Sequence, residues 1–248
     1  MTHAGYFEGI GGFSLGAERS GIKTIYTCEL DEYRHEHLKR ILPNAKHETD
    51  ITTAAGCSAD IFTAGFPCQD ISRANPKGKG LKGARSGLFF TFIKLVRRFR
   101  PKYVILENSP MLIYSKELLS ILREFAIIGY NAEWQVISKR PFEYPDERER
   151  LILIAYSSEI GREKSNLVFS KKPYKECIKT QKQNEFIFNK LSRGSSFDDW
   201  TGFITKSLQT DTGISKELAG KQIACYGDAI CPNVAQMAFE LIKIHVEQ

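Results

Sequence analysis

The sequence predicts an α/β protein, a mostly parallel sheet with helices on both faces. Three observations carry that expectation. Short β-rich runs alternate with helically spaced segments through the first 156 residues. A glycine-rich turn, Phe7-Glu8-Gly9-Ile10-Gly11-Gly12, follows the first expected strand and opens a helix, the place where such sheets approach their ligands. Of 248 residues, 42% are hydrophobic and 26% charged, which suits one large domain with a small addition and excludes a disordered or collagen-like chain.

The elements follow in order. Thr24–Glu29 is β-rich, and Asp31–Leu42 is polar with helical spacing. Asp60–Gly65 reads as a strand. Residues 68–87 scatter Gly78, Gly80, Gly83 and Gly87 among Lys and Asn, which predicts a long loop. Leu88, Phe92, Leu95, Val96 and Phe99 then recur at helical spacing with Lys94, Arg97 and Arg98 outside. Tyr103–Glu107 reads as a buried strand, Leu118–Ile128 as a helix, Ala132–Ser138 as extended and Leu151–Tyr156 as an apolar strand. From Ser157 to about Gly220 polar, Lys-rich and Asn-rich stretches replace the βα rhythm. Pro232–Val246 closes the chain with helical spacing behind a proline start. The division expected is one domain from residues 1–156 and 221–248, with a small module over 157–220.

No stretch approaches the 18 or so apolar residues of a membrane span. The first residues, Met1-Thr2-His3-Ala4-Gly5, carry no basic or apolar region of a secretory signal. Six cysteines, at 28, 57, 68, 177, 225 and 231, form no C-x-x-C pair and have no His at ligand spacing. Neither a metal site nor a disulfide framework is expected, and a reducing, cytoplasmic compartment fits. The formal charge of +6 is unevenly placed. Arg73–Lys102 holds ten Lys/Arg and no Asp/Glu, and Ser157–Ser195 holds nine Lys/Arg against four acids. Solvated lysines are the bland reading, and a basic face or cleft for nucleic acid is the functional one.

Five places carry chemistry. Glu29 ends the second strand, where a carboxylate can accept both hydroxyls of a ribose. Asp50, with Ile51, falls at the end of the third βα unit, where it can accept an adenine amino proton. Together they point to a nucleoside-bearing cofactor, with helix capping as the alternative for either alone. Gly65-Phe66-Pro67-Cys68-Gln69 runs a strand straight into a cysteine at its carboxyl end. A thiolate there, favoured by the basic loop that follows, is a nucleophile; a buried apolar cysteine is the alternative, and is the reading for Cys28 and Cys57. Glu107-Asn108-Ser109-Pro110 delivers a carboxyl group to the same edge. In Pro145-Asp146-Glu147-Arg148-Glu149-Arg150, alternation puts Arg148 and Arg150 on one side, with surface pairing to Glu147 and Glu149 as the alternative.

These blocks, in this order, resemble the DNA (cytosine-5) methyltransferase family, in a compact phage-like or bacterial form. The likeness covers residues 6 to about 156 and about 221 to 245. It implies a Rossmann-like S-adenosylmethionine-dependent methyltransferase fold, with residues 157–220 as a small target-recognition region. It implies Cys68 as the nucleophile on C6 of cytosine, Glu107 on N3 and the exocyclic amine, and Arg150, with Arg148 beside it, on the base O2 or a phosphate. The cofactor implied is S-adenosyl-L-methionine, leaving as S-adenosyl-L-homocysteine. Its contacts would be Phe7, Gly9, Ile10, Gly12, Glu29, Leu30, Asp50, Ile51, Phe66, Leu88, Asp228 and Ala229. Gln69, Ser72, Arg73, Lys77, Lys79, Lys82 and Arg85 would meet DNA. The partner implied is double-stranded DNA, whose target base flips out at a cost of roughly a few kcal/mol. The chain would be a monomer in the cytoplasm of a bacterial or phage-infected cell. It would serve beside a companion restriction endonuclease or modify phage DNA.

Three positions depart from the family pattern: Asp146 for Gln, Ser109 for Val after Glu-Asn, and Asp228 for Asn. The recognition region is short, with Lys182, Lys190, Arg193 and Trp200 as candidate DNA contacts. An RNA cytosine-5 methyltransferase is the alternative substrate class, but the Cys-Phe-Thr element of such relatives is matched only poorly by Cys177-Ile178-Lys179. A non-catalytic DNA-binding subunit would have no need of Cys68 or Glu107.

Overall fold

The computed structural model describes residues 1–66, 87–138, 149–163, 167–169 and 229–247. Seven strands form one sheet in the order β3-β2-β1-β4-β5-β7-β6. They are β1 (Thr2–Tyr6), β2 (Lys23–Cys28), β3 (Lys46–Glu48), β4 (Ile61–Ala64), β5 (Tyr103–Asn108), β6 (Tyr130–Ser138) and β7 (Glu149–Ser157). Neighbours from β3 through β5 are parallel, while β7 runs antiparallel to both β5 and β6. The helices are α1 (Gly12–Arg19), α2 (Glu32–Ile41), α3 (Leu88–Phe99), α4 (Lys116–Ile127), α5 (Ser158–Glu163) and α6 (Pro232–Glu247), with a 3-10 turn at Pro110–Tyr114. Among the described residues no helix is long and apolar enough to cross a membrane.

The sequence accounts for most of these elements. In α3, Phe89, Phe92, Ile93, Leu95 and Val96 are buried, while Arg97 and Arg98 complement the negative end of the helix. Asp31 caps α2 by accepting the Arg34 N–H at 2.9 Å. The expected strand boundaries hold to within one or two residues. The short β3 was not expected, because Lys-His-Glu carries no β-rich signal. It is made by pairing with β2 and by the Tyr26 hydroxyl, which donates to Glu48 at 2.6 Å.

The core lies on both faces of the sheet. One side packs Tyr6, Tyr26 and Phe62 of the strands against Phe89, Phe92, Ile121 and Phe125 of α3 and α4. The other packs Ile105, Ile152 and Ile154 against Phe13 of α1 and Val234, Phe239 and Leu241 of α6. Each such side chain contributes about 1.5–3 kcal/mol by leaving water. The C-terminal helix thus returns to the first one. Arg19 donates to Asn233 at 2.7 Å and Lys243 to the Ser20 carbonyl at 3.1 Å.

Strand order decides where a ligand can sit. The chain moves outward through β1, β2 and β3, then crosses back to place β4 on the other side of β1. Ligands in such sheets bind at that reversal, beyond the carboxyl ends of the strands. Tyr6 and Ala64, the last residues of β1 and β4, are paired neighbours there.

Candidate active site

The glycine-rich loop leaves β1 at the reversal. Phe7, Gly9 and Gly11 all take positive φ, at 53°, 63° and 92°. Gly12 is fixed by crowding: a Cβ there would stand 2.5 Å from the Ile230 carbonyl oxygen. The loop and the start of α6 therefore lie against each other, and Ala229 is one residue away. Phe7, Ile10 and Ala229 are half-buried, Phe7 against the α3–α4 side of the core.

Glu8 organises the loop from beneath. Its Oε1 accepts the Ser14 N–H at 2.8 Å and the Ser14 hydroxyl at 2.7 Å, capping α1. Its Oε2 is buried without a hydrogen-bond partner among the described residues. The carboxyl occupies the space over Gly5, where a Cβ would come within 1.8 Å of Oε2. Burial pushes its pKa up to about 7, against the two Ser14 hydrogen bonds. The sequence offered no role for Glu8. The signal, a carboxyl three residues from Gly5 and six before a Ser in the first turn of α1, is legible only once the loop is folded.

Glu29 follows β2 directly and is only 8% exposed. Its Oε2 accepts the Gly9 N–H at 2.8 Å, and its Oε1 the Asp31 N–H at 3.0 Å. Burial raises its pKa, and those two N–H donors oppose the shift. Each carboxylate oxygen retains a second acceptor position. Leu30 beside it is 68% exposed, an apolar surface standing in solvent at the strand end. Asp50 lies two residues past β3. Its Oδ1 accepts the N–H and hydroxyl of Thr52, both at 2.8 Å, which holds its carboxyl below the usual range. Ile51 is buried next to it. Cys28 and Cys57 fit the inert reading: burial pushes their thiols up to about 12 and about 11, although Cys57 is only half-buried.

On the other side of β1, β4 ends at Ala64 and the chain continues through Gly65 and Phe66. Phe66 is buried, its ring 5.3 Å from that of Phe89, and Leu88 opens α3 beside it. Asn108, at the end of β5, donates from Nδ2 to the Phe66 carbonyl at 3.4 Å and accepts the Ser109 N–H at 2.7 Å. It holds the backbone one residue before Pro67-Cys68. The departure at Ser109 has a local reason: its hydroxyl accepts the Met111 N–H at 3.3 Å and caps the 3-10 turn.

Glu107 and Arg150 meet. Arg150 Nε stands 2.6 Å from Glu107 Oε1, with side chains only 23% and 12% exposed. Register explains it. Glu107 pairs with Ile152 across β5 and β7, so Arg150, two residues earlier on β7, projects from the same face. Because β7 is antiparallel, its start lies at the same edge as the ends of β1, β4 and β5. Gly65 faces the pair, since a Cβ there would be 3.5 Å from Glu107 Oε2. Arg150 also donates to the Glu149 carbonyl at 3.0 Å.

Of the residues expected at the site, Phe7, Gly9, Ile10, Gly12, Glu29, Leu30, Asp50, Ile51, Phe66, Leu88, Glu107, Arg150 and Ala229 are described. Cys68, Gln69, Ser72, Arg73, Lys77, Lys79, Lys82, Arg85, Arg148 and Asp228 lie outside the described residues, as do Asp146, Cys177, Lys182, Lys190, Arg193 and Trp200. Among the described residues no cluster of His, Cys, Asp and Glu could hold a metal ion.

Known proteins resemble this chain in sequence and in fold. The type II methyltransferase M2.BsuMI of Bacillus subtilis (strain 168) is 35% identical over 166 residues, 62% of this chain and 42% of that protein. M.Sau96I of Staphylococcus aureus is 30% identical over 168 residues, 63% of this chain and 39% of its own length. The chain thus spans about two fifths of the curated relatives it matches. Among solved structures, the Entamoeba histolytica methyltransferase EhMeth superposes with a TM-score of 0.65 at 14% identity, covering 100% of this chain and 99% of that one. A Spodoptera frugiperda DNMT2 mutant gives 0.61 at 13% identity, covering 99% of each. The sheet is accordingly the Rossmann-like sheet of methyltransferases. The profile of the C-5 cytosine-specific DNA methylases matches residues 1–211. Strand order, the loop after β1 and the family profile converge: the chain belongs to the C-5 cytosine-specific DNA methylase family.

Proposed function

We propose that this protein transfers a methyl group from S-adenosylmethionine to C5 of cytosine in double-stranded DNA, through a covalent bond between Cys68 and C6. The observation that carries the reading is the Glu107–Arg150 pair, held 2.6 Å apart at the sheet edge where β4 ends, four residues before Cys68 in the sequence.

The residues fit the cofactor. Glu29 has one acceptor position left on each carboxylate oxygen, as the two hydroxyls of a ribose require. Leu30 offers an exposed apolar surface beside it for a flat base, and Asp50 a carboxylate two residues past the next strand. The loop from Phe7 to Gly12 would hold the amino-acid end. Bound there, the cofactor supplies an electrophilic methyl group.

The chain's own groups do the rest. Cys68 Sγ adds to C6 as the thiolate, and the ring electrons move toward C5. Glu107, in its protonated form, would donate to N3 and accept from the exocyclic amine of the flipped base, and this proton stabilises the negative charge that addition creates on the ring. Arg150 fixes the Glu107 carboxyl and presents its remaining N–H donors to the base O2 or a phosphate. C5 then takes the methyl group, loses its proton to a base, and the Cys68–C6 bond breaks to restore the ring. The basic loop Arg73–Lys82 would neutralise phosphates, with Gln69, Ser72 and Arg85 beside it, whereas Lys102, just before the start of β5 at the other edge of the sheet, pairs with Asp60 at 3.0 Å. Residues 157–220 would choose the sequence, whether for restriction-modification or for phage DNA.

Conversion sequencing of unmethylated genomic DNA, after incubation with the protein and S-adenosylmethionine, tests this directly. Methylated cytosines in one recurring context, absent with Cys68→Ser, are the expected result. Methylation that persists with Cys68→Ser would overturn the nucleophile, and none with the wild-type chain would overturn the substrate.

A further inference from the structure

Beyond β7 the chain stays on the sheet. The short α5 turns it back, and residues 167–169 return to β6, where Val168 is buried in the α1–α6 side of the core. One carboxylate receives them. Glu133 Oε1 accepts the Val168 N–H at 3.0 Å, and its Oε2 accepts the Phe169 N–H at 3.2 Å. The Tyr156 hydroxyl also donates to Oε1, at 2.9 Å.

The receiving side is rigid. Glu133 and Tyr156 sit on paired antiparallel strands, and the Tyr156 ring packs on His245 of α6 with centroids 5.3 Å apart. His245 Nδ1 in turn lies 2.9 Å from the Tyr103 hydroxyl on β5. A charged acceptor taking two consecutive backbone N–H groups makes stronger hydrogen bonds than neutral partners would. It also fixes direction, because both amides must face the carboxylate at once. Val168 and Phe169 are therefore held at a set point and in a set direction against β6.

We propose that Glu133 is a positioning residue, a clamp that fixes where the recognition segment leaves the sheet and so sets the affinity for DNA without touching the chemistry. This rests on the proposed reading of residues 157–220 as the target-recognition region. Glu133 lies on β6, the outer strand of the sheet, whereas Glu107 and Arg150 lie at the carboxyl edge of β5 and the start of β7.

Three variants, Glu133→Ala, Glu133→Gln and Tyr156→Phe, test it. The readouts are amide hydrogen exchange, steady-state kinetics on duplex DNA, and calorimetric titration with S-adenosylhomocysteine. In Glu133→Ala, exchange at Val168 and Phe169 should accelerate more than about tenfold, and KM for DNA should rise about tenfold with kcat within about twofold. Affinity for S-adenosylhomocysteine should not move. Glu133→Gln keeps one carbonyl acceptor and should fall between alanine and wild type. Tyr156→Phe removes one donor only and should release the segment least, which keeps the test decisive if the alanine variant folds poorly. Unchanged exchange at Val168 and Phe169 would overturn the clamp, and released amides with an unchanged KM would overturn its role in DNA binding. If the wild-type chain methylates no DNA, the functional reading fails, and the exchange comparison still decides the clamp.

Discussion

On the β3-β2-β1-β4 side of the sheet, Phe7, Glu29 and Asp50 stand one or two residues past the ends of parallel strands. On the β5-β7-β6 side, Glu107 and Arg150 stand within strands and face each other across an antiparallel pair. The first arrangement presents loop backbone and loop carboxylates to a ligand lying over the strand ends. The second presents two charged side chains whose separation is set by register. A loop can adapt to a bound molecule; a cross-strand pair cannot shift by one residue without turning a side chain to the other face. The half proposed to hold the cofactor is therefore adjustable, and the half proposed to hold the base is stiff.

The sharpest way to break that comparison is Glu107→Gln. If the stiff half acts on the base, kcat should fall by roughly 10²–10⁴, the range for a lost proton-handling group, with cofactor affinity unchanged in calorimetry. A loss of cofactor affinity instead would mean the halves are not separate in function.

The next effect concerns the loop half and its pH dependence. Glu8 has a pKa near 7 when folded against an ordinary value of 4.5. Its contribution to stability is full below pH 4.5, declines as pH rises toward 7, and is gone above that, because the unfolded chain releases the proton first. Glu8→Gln cannot ionise, so its stability relative to wild type should rise by about 3 kcal/mol between pH 4.5 and 7.5 in denaturant titrations. His3 acts with the opposite sign. Burial lowers its pKa to about 3, so its contribution is present above pH 6.5 and lost as pH falls. It is common to both proteins and cancels in the difference. A flat difference would mean that Glu8 is ionised throughout.

Glu29→Ala sharpens the same half. It should weaken S-adenosylmethionine binding about 10- to 100-fold by calorimetry, the worth of one or two hydrogen bonds to a charged acceptor, and leave the Glu107–Arg150 side untouched. Smallest is Ser109→Ala. It removes the cap of the 3-10 turn beside Glu107 and should cost about 0.5–1 kcal/mol in thermal or denaturant unfolding. A larger loss, accompanied by lower kcat, would show that the turn helps to hold the stiff half.

The sequence by itself determined the alternation of strands and helices and the order of the motifs. These are local properties: amphipathic spacing in α3, a glycine turn after β1, a carboxylate after β2. Glu29 and Asp50 were legible because in a parallel sheet each functional group follows its own strand, so position along the chain predicts position at the edge. The Glu107–Arg150 contact was not, because it joins residues 43 positions apart through the antiparallel register of β7. Glu8 was hidden for a different reason. Its role depends on the room left by Gly5 and on the first turn of α1 folding back over it. Glu133 depends on residues more than thirty positions away returning to β6. Short-range sterics and hydrophobic spacing choose the elements, while pairing register and close approach between distant segments choose which side chains meet.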